Sequence, residues 1–390
     1  MYTGKKVLVT GGTGMIGSHL VEQLLERGAK VRSIVHQRKI PDEIKNKGVE
    51  FLEGDLGDSE FSDRAVKGMD FVFHLAAFTG GLGRTSIHPA STLTPNLIMD
   101  GNVLESARKE NIDRFLYASC TCVYPNMEKD LTEEDAWTGN PPAVHASYSW
   151  SKRMGEMQSI AYHKEYGMKV AIVRPSNSYG PRDSLDPQTA HALGALIIKA
   201  LQKMNPFVIW GDGKPVREYI YAGDAAEGML AAMEKYCVGD PINLASGEYL
   251  SIEELARKII SLCNYKPEIA FDKTKPSGQL RRVLLNNKSE NKIGFKARTS
   301  MEEGAFGRRR QSHHSRQFCV RKTGIHSIAQ TCSGCQWRYD ERKRRQKSSQ
   351  RSGSNLQSCS ITIHSRFLSL SSRFFQNKYD RKSQRSLGSN

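Results

Sequence analysis

The chain has no long hydrophobic run. Nowhere in its 390 residues does an apolar stretch approach the length of about 20 that a bilayer-spanning helix requires, so a membrane span is excluded. Lys5 and Lys6 lead straight into a short strand-like segment, without the apolar core of a secretory leader, and a cytoplasmic location is expected. Cysteine is sparse. Of eight cysteines, four (Cys120, Cys122, Cys237 and Cys263) fall before residue 305, at spacings that do not suggest disulfides. Cys332-Ser-Gly-Cys335, near His326, lacks the second pair that a four-ligand zinc site needs, so no metal is expected. No internal repeat is present, which excludes a solenoid.

Acid is nearly missing from one end. Residues 305–390 carry 19 Lys and Arg against 3 Asp and Glu, whereas residues 1–304 carry 38 of each. The formal charge of +16 therefore belongs to the tail, and the body is neutral. Thr299 to Gly304 reads as the start of an amphipathic helix, but its continuation is replaced by Arg308-Arg-Arg310, Glu341-Arg-Lys-Arg-Arg345 and seventeen serines. Low hydrophobicity with high charge predicts disorder there. A reading frame that slips near residue 305 is the leading explanation. A natural basic extension, binding nucleic acid or an acidic membrane by charge alone, is the alternative.

What is present is a glycine-marked turn between a strand and a helix. Lys6-Val-Leu-Val-Thr10 is a short buried-strand pattern, Thr10-Gly11-Gly12-Thr13-Gly14-Met15-Ile16-Gly17 follows, and an amphipathic stretch runs from Met15 to Arg27. Gly11 permits a tight turn, Gly14 a close approach of backbone to a pyrophosphate, and Gly17 close packing of helix on strand. The helix N-terminus attracts the anion. The spacing is G-x-x-G-x-x-G, and its place between strand and helix favours dinucleotide binding over a merely flexible turn. The second strand, Val31-Arg-Ser-Ile-Val35, is followed by His36, Gln37, Arg38 and Lys39 rather than by the acid that binds ribose hydroxyls. That favours NADP, with Arg38 at its 2′-phosphate, over NAD.

Further apolar segments recur at α/β spacing. They are Val49 to Asp55, Phe71 to Ala77 and Arg114 to Ser119, with a helix predicted over 93–109. Asp55 and Leu56 are placed to meet an adenine, and the small Ala76 and Ala77 leave room beside a cofactor. The alternation predicts an α/β protein built on a Rossmann-type doubly wound parallel sheet. Tyr148 and Lys152 are four residues apart and share one helix face. An ammonium beside a phenol favours the phenolate and brings proton transfer toward neutral pH. A nucleotide cofactor with such a phenol implies hydride chemistry at a carbonyl or carbinol.

Thr10 to Gly17, Asp55-Leu56, His74-Leu-Ala-Ala77, Tyr148-x-x-x-Lys152 and Arg174-Pro175 together resemble the extended short-chain dehydrogenase/reductases, the NAD-dependent epimerase/dehydratase family, over about residues 1–304. Gly80-Gly81, Asn96 to Asn102, Cys122-Val-Tyr-Pro125, Asn177-Ser-Tyr-Gly-Pro181 with His191 beyond it, Trp210 to Glu218 and Thr274 to Arg281 bring the likeness nearest to one branch. That branch epimerises a GDP-linked 4-keto-6-deoxy sugar at C3 and C5 and then reduces C4 with NADPH. The resemblance implies cofactor contacts from Gly11, Thr13, Gly14, Met15, Ile16, Gly17, Arg38, Asp55, Leu56, Ala76, Ala77, Lys152, Pro175 and Asn177. It implies substrate contacts from Asn177, Arg217 and Arg281, with Arg217 clamping the diphosphate. The implied catalytic residues are Tyr148, Lys152, Cys122 and His191. Cys122 and His191 exchange protons at C3 and C5, and Tyr148 protonates the C4 oxygen while Lys152 lowers the phenol's pKa. Cys120 stands where the family places a Ser or Thr that polarises the carbonyl. Ser119 and Thr121, read on an extending strand, point to the opposite face from Cys120 and Cys122.

The implied organisation is an NAD(P)-binding Rossmann domain over 1–170 that also receives parts of 215–245, a mainly substrate-binding domain over 171–304, and the basic tail 305–390. The implied partners are a nucleotide-diphosphate sugar, GDP-sugar favoured, and a second copy of the chain paired along the Tyr148 helix. Two rival readings stay open. One is an NAD-dependent nucleotide-sugar epimerase or dehydratase without net redox, which net consumption of NADPH would separate. The other is a non-catalytic dinucleotide-binding module whose tail binds nucleic acid, against which the retention of Tyr148 and Lys152 argues.

Overall fold

The computed structural model describes residues 1–79, 85, 87–183, 192–275 and 278–306. Gly80-Gly81, His191, Cys332, Cys335 and the basic tail beyond Phe306 lie outside the described residues. The chain first runs through β1 (Lys6–Thr10), α1 (Met15–Glu26), β2 (Lys30–Val35), α2 (Asp42–Lys45), β3 (Glu50–Glu53), α3 (Ser59–Val66), β4 (Phe71–His74), α4 (Pro89–Lys109), β5 (Arg114–Ala118), α5 (Ala146–Tyr166) and β6 (Val170–Pro175). It continues as β7 (Asn177–Tyr179), α6 (Ala192–Leu201), β8 (Phe207–Trp210), β9 (Val216–Tyr221), α7 (Ala222–Lys235), β10 (Val238–Leu244), β11 (Tyr249–Ser251), α8 (Ile252–Leu262), β12 (Ile269–Asp272), β13 (Arg281–Arg282), α9 (Asn287–Ile293) and α10 (Met301–Phe306).

Seven strands form one parallel sheet in the order β10-β6-β5-β4-β1-β2-β3. The chain winds outward from β1 in both directions, so the crevice where the order reverses lies at the carboxyl ends of β1 and β4. β1 shows why the sheet reads as an unbroken apolar run. Val7 and Val9 join Leu20 and Leu24 of α1 in the core on one face. Leu8, between them, joins Phe61 of α3 and Val103 of α4 on the other. A strand covered on both faces has no polar side to show.

Local chemistry sets the helix ends. Gly14 caps α1 without a side chain, Asp58 caps α3 by accepting the amide of Glu60 at 2.9 Å, and Ser251 with Glu254 forms a capping box on α8. Gly167, at φ 68°, ends α5 in the left-handed conformation.

A second core gathers Leu193 and Leu196 of α6, Phe207 and Ile209 of β8, Leu255 and Ile259 of α8, and Met301 and Ala305 of α10. Beside it β9 pairs with β7, β11 and β13 in a smaller sheet. Within 215–245, β9 stays in that smaller sheet, whereas α7 and β10 return to the large one. Strand alternation does not carry through to Cys122, because β5 ends at Ala118 and Thr121–Val123 forms a 3-10 turn. That turn brings Cys120 and Cys122 together in a disulfide, which their spacing did not suggest. Among the described residues, no helix is long and apolar enough to cross a membrane, and no group of three or more His, Cys, Asp or Glu is placed to hold a metal.

Candidate active site

The carboxyl end of β1 turns at Gly11, whose φ is +70°. A Cβ placed there would lie 2.9 Å from the Ala76 backbone nitrogen, so only glycine lets the loop after β4 pass this close. Gly17 packs so tightly on the Gly11 carbonyl that no Cβ fits. Gly14 presents bare backbone at the N-terminus of α1, and the first turn of that helix carries no acid. Thr13 is buried at the same turn, with Met15 and Ile16 opening the helix. Exposed Arg38 reaches back to this turn, its guanidinium 4.0 Å from where a Gly14 Cβ would be. These features fit a dinucleotide diphosphate and, at Arg38, a further phosphate.

Around this turn stand Asp55, exposed and accepting the Gly57 amide at 2.8 Å, and buried Leu56. Ala76 and Ala77 are half-buried beyond β4, and Pro175 closes β6. Asn177 is committed differently from the cofactor contact expected of it, since its side-chain amide donates to the Glu218 carbonyl at 2.8 Å.

Tyr148 and Lys152 both lie on α5, which runs beside β5. Tyr148 is half-buried and Lys152 is buried, its ammonium donating to the Ala118 carbonyl at 2.9 Å and lying 4.7 Å from the centroid of the Tyr117 ring. Burial holds the Tyr148 phenol above the usual tyrosine range, and the Asp100 carboxylate adds to the effect. Burial pulls the Lys152 ammonium down, against the opposing pull of Asp100 and Glu156. The phenol is thus kept protonated, the reverse of the depression expected from Lys152. A protonated phenol is the form a general acid needs.

The sequence reading missed what lies behind the pair. Thr10 Oγ1 and His74 Nδ1 are 2.8 Å apart, and His74 Nε2 and Asp100 Oδ1 are 2.9 Å apart. Asp100 Oδ2 accepts the Tyr117 hydroxyl at 2.7 Å. The Thr10 hydroxyl also accepts the amides of Leu75 and Ala76, each at 3.1 Å. All four side chains are buried. The only sequence signal was a set of polar residues inside apolar elements, such as His74 closing an apolar strand.

Ser119 is not available to polarise a carbonyl, because its hydroxyl donates to buried Glu156 at 2.5 Å. Glu156 is in turn held by Arg174 in a two-pronged ion pair at 2.8 and 2.7 Å. As a disulfide partner, Cys122 has no thiol proton to exchange.

In the smaller sheet, Arg217 of β9 is in register with Arg282 of β13. Burial pulls both guanidinium groups down. For Arg282 the neighbouring Arg217 charge adds to burial, and the value falls to about 10. Arg282 Nε donates to Gln279 at 2.5 Å and Arg217 to its neighbour's carbonyl at 2.8 Å, while neither makes an ion pair among the described residues. Two adjacent half-buried cations without a carboxylate suit a diphosphate. Arg281, expected to share this role, is instead bound to Asp130 at 2.6 Å, because successive strand residues point to opposite faces.

A parallel sheet with a phosphate-binding turn at its switch point and a Tyr/Lys pair on the adjoining helix defines an NAD(P)-dependent enzyme of the Rossmann class. The chain belongs to the NAD dependent epimerase/dehydratase family, which matches residues 7–245. It is 31% identical to the GDP-L-fucose synthase of Sinorhizobium fredii over 307 residues, covering 77% of this chain and 93% of that protein. It is 30% identical to the GDP-mannose 3,5-epimerase of Arabidopsis thaliana, covering 77% and 80%. Among solved structures, it is similar to the UDP-glucose 4-epimerase of Thermotoga maritima with UDP-glucose, at 28% identity, a TM-score of 0.70 and coverage of 77% and 96%. It is likewise similar to a GDP-L-fucose synthetase from Naegleria fowleri, at 27% identity, a TM-score of 0.66 and coverage of 78% and 92%.

Proposed function

We propose that the chain is an NADP-linked epimerase/reductase of the GDP-L-fucose synthase kind, acting on a 4-keto-6-deoxy sugar carried on a nucleoside diphosphate, GDP favoured. The observation that carries this reading is the setting of Tyr148 and Lys152, on the helix beside β5 of a sheet whose first turn is built for a dinucleotide. The names of its relatives support the sugar and the base. When bound, a reduced nicotinamide supplies the hydride.

The chain's own residues do the rest. Gly11, Gly14 and the α1 N-terminus bind the cofactor diphosphate, and Arg38 selects the 2′-phosphate. Arg217, with Arg282 beside it, holds the sugar's diphosphate. Tyr148 delivers its proton to the C4 oxygen as the carbonyl is reduced, and the buried Lys152 charge stabilises the phenolate left behind. The C4 ketone acidifies the C–H bonds at C3 and C5. Cys122, once reduced to a thiol, and His191 remove and return those protons on opposite faces.

A second copy of the chain is the proposed partner. Trp150, Met154 and Met157 of α5 are exposed at 37%, 42% and 45%, on the helix the family likeness assigned to pairing. The Rossmann and substrate-binding division, with α7 and β10 given to the cofactor side, belongs to the same reading.

The test is to incubate the protein with NADPH and a panel of 4-keto nucleotide sugars. Stoichiometric NADPH oxidation is expected, and Tyr148→Phe should abolish it while leaving NADPH binding in place. Turnover of sugar without net NADPH oxidation would instead mark an epimerase that regenerates its cofactor. Full reduction by Tyr148→Phe would remove the assigned proton donor.

A further inference from the structure

We propose that Asp100 is the positioning residue of the Tyr148/Lys152 pair, a sealed carboxylate that holds the Lys152 ammonium charged and ties the pair to the phosphate turn through His74 and Thr10. The inference deepens the function proposed above and rests on it for the chemistry that Asp100 serves.

The geometry begins on α4. Asp100 is 3% exposed and points into the layer between α4, β4, β5 and α5. From β4 it meets His74, and from β5 it meets Tyr117. From α5 the charged and titratable groups that act on it or on its neighbours are Tyr148, Lys152 and Glu156. α3 also packs on α4, but its Asp63 reaches Ser106 and Lys109 instead. Gly155 makes this approach possible, since a Cβ there would collide with the Tyr117 hydroxyl and lie 2.8 Å from Asp100 Oδ2.

Two consequences follow from one charge. A carboxylate accepts only, so Asp100 Oδ1 places the imidazole proton of His74 on Nε2. His74 Nδ1 is then an acceptor for the Thr10 hydroxyl, whose remaining lone pairs receive the Leu75 and Ala76 amides. The loop against Gly11 is thereby fastened to the same network as the catalytic helix. Toward α5, the buried ammonium of Lys152 has one neutral carbonyl as its recorded hydrogen-bond partner, so its charge depends on carboxylates nearby. Burial pushes the Asp100 carboxyl up, yet Lys152 first, then His74 and Tyr117, outweigh burial and keep it ionised. Glu156 is already saturated by Arg174 and Ser119, which leaves Asp100 as the less committed counter-charge.

The sign of the effect is fixed. Reduction requires a protonated phenol and a charged ammonium. Removing the negative charge at position 100 makes both groups lose their protons at lower pH. Asn is nearly isosteric and still accepts from His74, so Asp100→Asn changes charge more than shape. We expect the Lys152 titration, followed by 13Cε-lysine NMR on the full chain and assigned with Lys152→Arg, to move down by about one pH unit in Asp100→Asn. Tyr117→Phe, which keeps the charge, should move it far less. The alkaline limb of NADPH oxidation should move the same way, with kcat down about tenfold and the KM for NADPH nearly unchanged.

An unmoved Lys152 midpoint in folded Asp100→Asn overturns the proposal, as does an activity loss that scales the whole pH profile without shifting it. If Asp100→Asn does not fold, the unmodified protein decides. A Lys152 midpoint above neutrality sustains the proposal, and one below neutrality overturns it. Absence of sugar turnover by the unmodified protein would sink the proposed function alone, because the lysine titration needs no substrate.

Discussion

Under the proposed function, two residues decide which cofactor the site takes and when it works. The Arg38 guanidinium stands beside the glycine turn, and the sequence supplies no acid after β2 for ribose hydroxyls. A charge-assisted contact of this kind is worth about 1.5–3 kcal/mol, and Arg38 is exposed, so the lower figure applies. Arg38→Ala should weaken NADPH binding about tenfold while leaving NADH binding within about threefold, as read by nucleotide fluorescence titration. Equal losses for both nucleotides would remove Arg38 from the 2′-phosphate. Cys120 sets the second condition. Its bond to Cys122 takes away the thiol that proton exchange at C3 and C5 would use. Without reductant, the protein should fail to wash solvent deuterium into those positions, and dithiothreitol should restore exchange. Cys120→Ser should exchange without reductant, because Cys122 then has no sulfur to bond and a hydroxyl stands at position 120. Exchange by the unreduced protein at the fully reduced rate would dismiss the disulfide as a control on Cys122.

At the scale of elements, α5 carries the proposed Tyr148/Lys152 pair, and its packing can be tested apart from that chemistry. Gly155 sits mid-helix, where alanine ordinarily gains up to about 1 kcal/mol of helix stability. Here the added methyl would strike Tyr117 and press on Asp100. Overpacking costs about 1–3 kcal/mol, and loosening a buried hydrogen bond to a charged group costs about 1.5–3 more. The packing terms exceed the propensity gain, so Gly155→Ala should lower Tm, as differential scanning calorimetry would read. A raised Tm would mean that α5 has room against β5. The legibility of the sequence follows from the same contrast between local and long-range contacts. The parallel sheet reads correctly from short apolar runs at α/β spacing, and the glycine turn and the Tyr148/Lys152 spacing are local patterns that fall before α1 and on α5. The Thr10–His74–Asp100–Tyr117 chain joins four elements across 17 to 64 residues of separation, and no periodicity encodes that. The choice between Arg281 and Arg282 turned on which face of a two-residue strand meets β9, and the Cys120–Cys122 pairing on where β5 stops.

At the scale of the whole molecule, the neutral body and the basic tail meet at a helix that stops making sense. α10 buries Met301 and Ala305, four residues apart, in the core of the smaller layer. An amphipathic helix continuing from them would place its next apolar residues at 308, 309 and 312. The sequence has Arg308, Arg309 and Ser312 there. Burying two arginines beside Met301 and Ala305 without partners would cost several kcal/mol each, so this text does not suit that groove. A slipped reading frame accounts for both the lost apolar pattern and the abrupt excess of 19 basic over 3 acidic residues. Translating the gene one base out of frame beyond codon 305 should therefore restore apolar residues at 308, 309 and 312, and a protein carrying that sequence should melt higher than the present chain. If neither alternative frame restores the pattern, the tail is a genuine basic extension. Its expected signature is then RNA binding that weakens steeply with salt, while NADPH binding by the neutral body stays nearly constant.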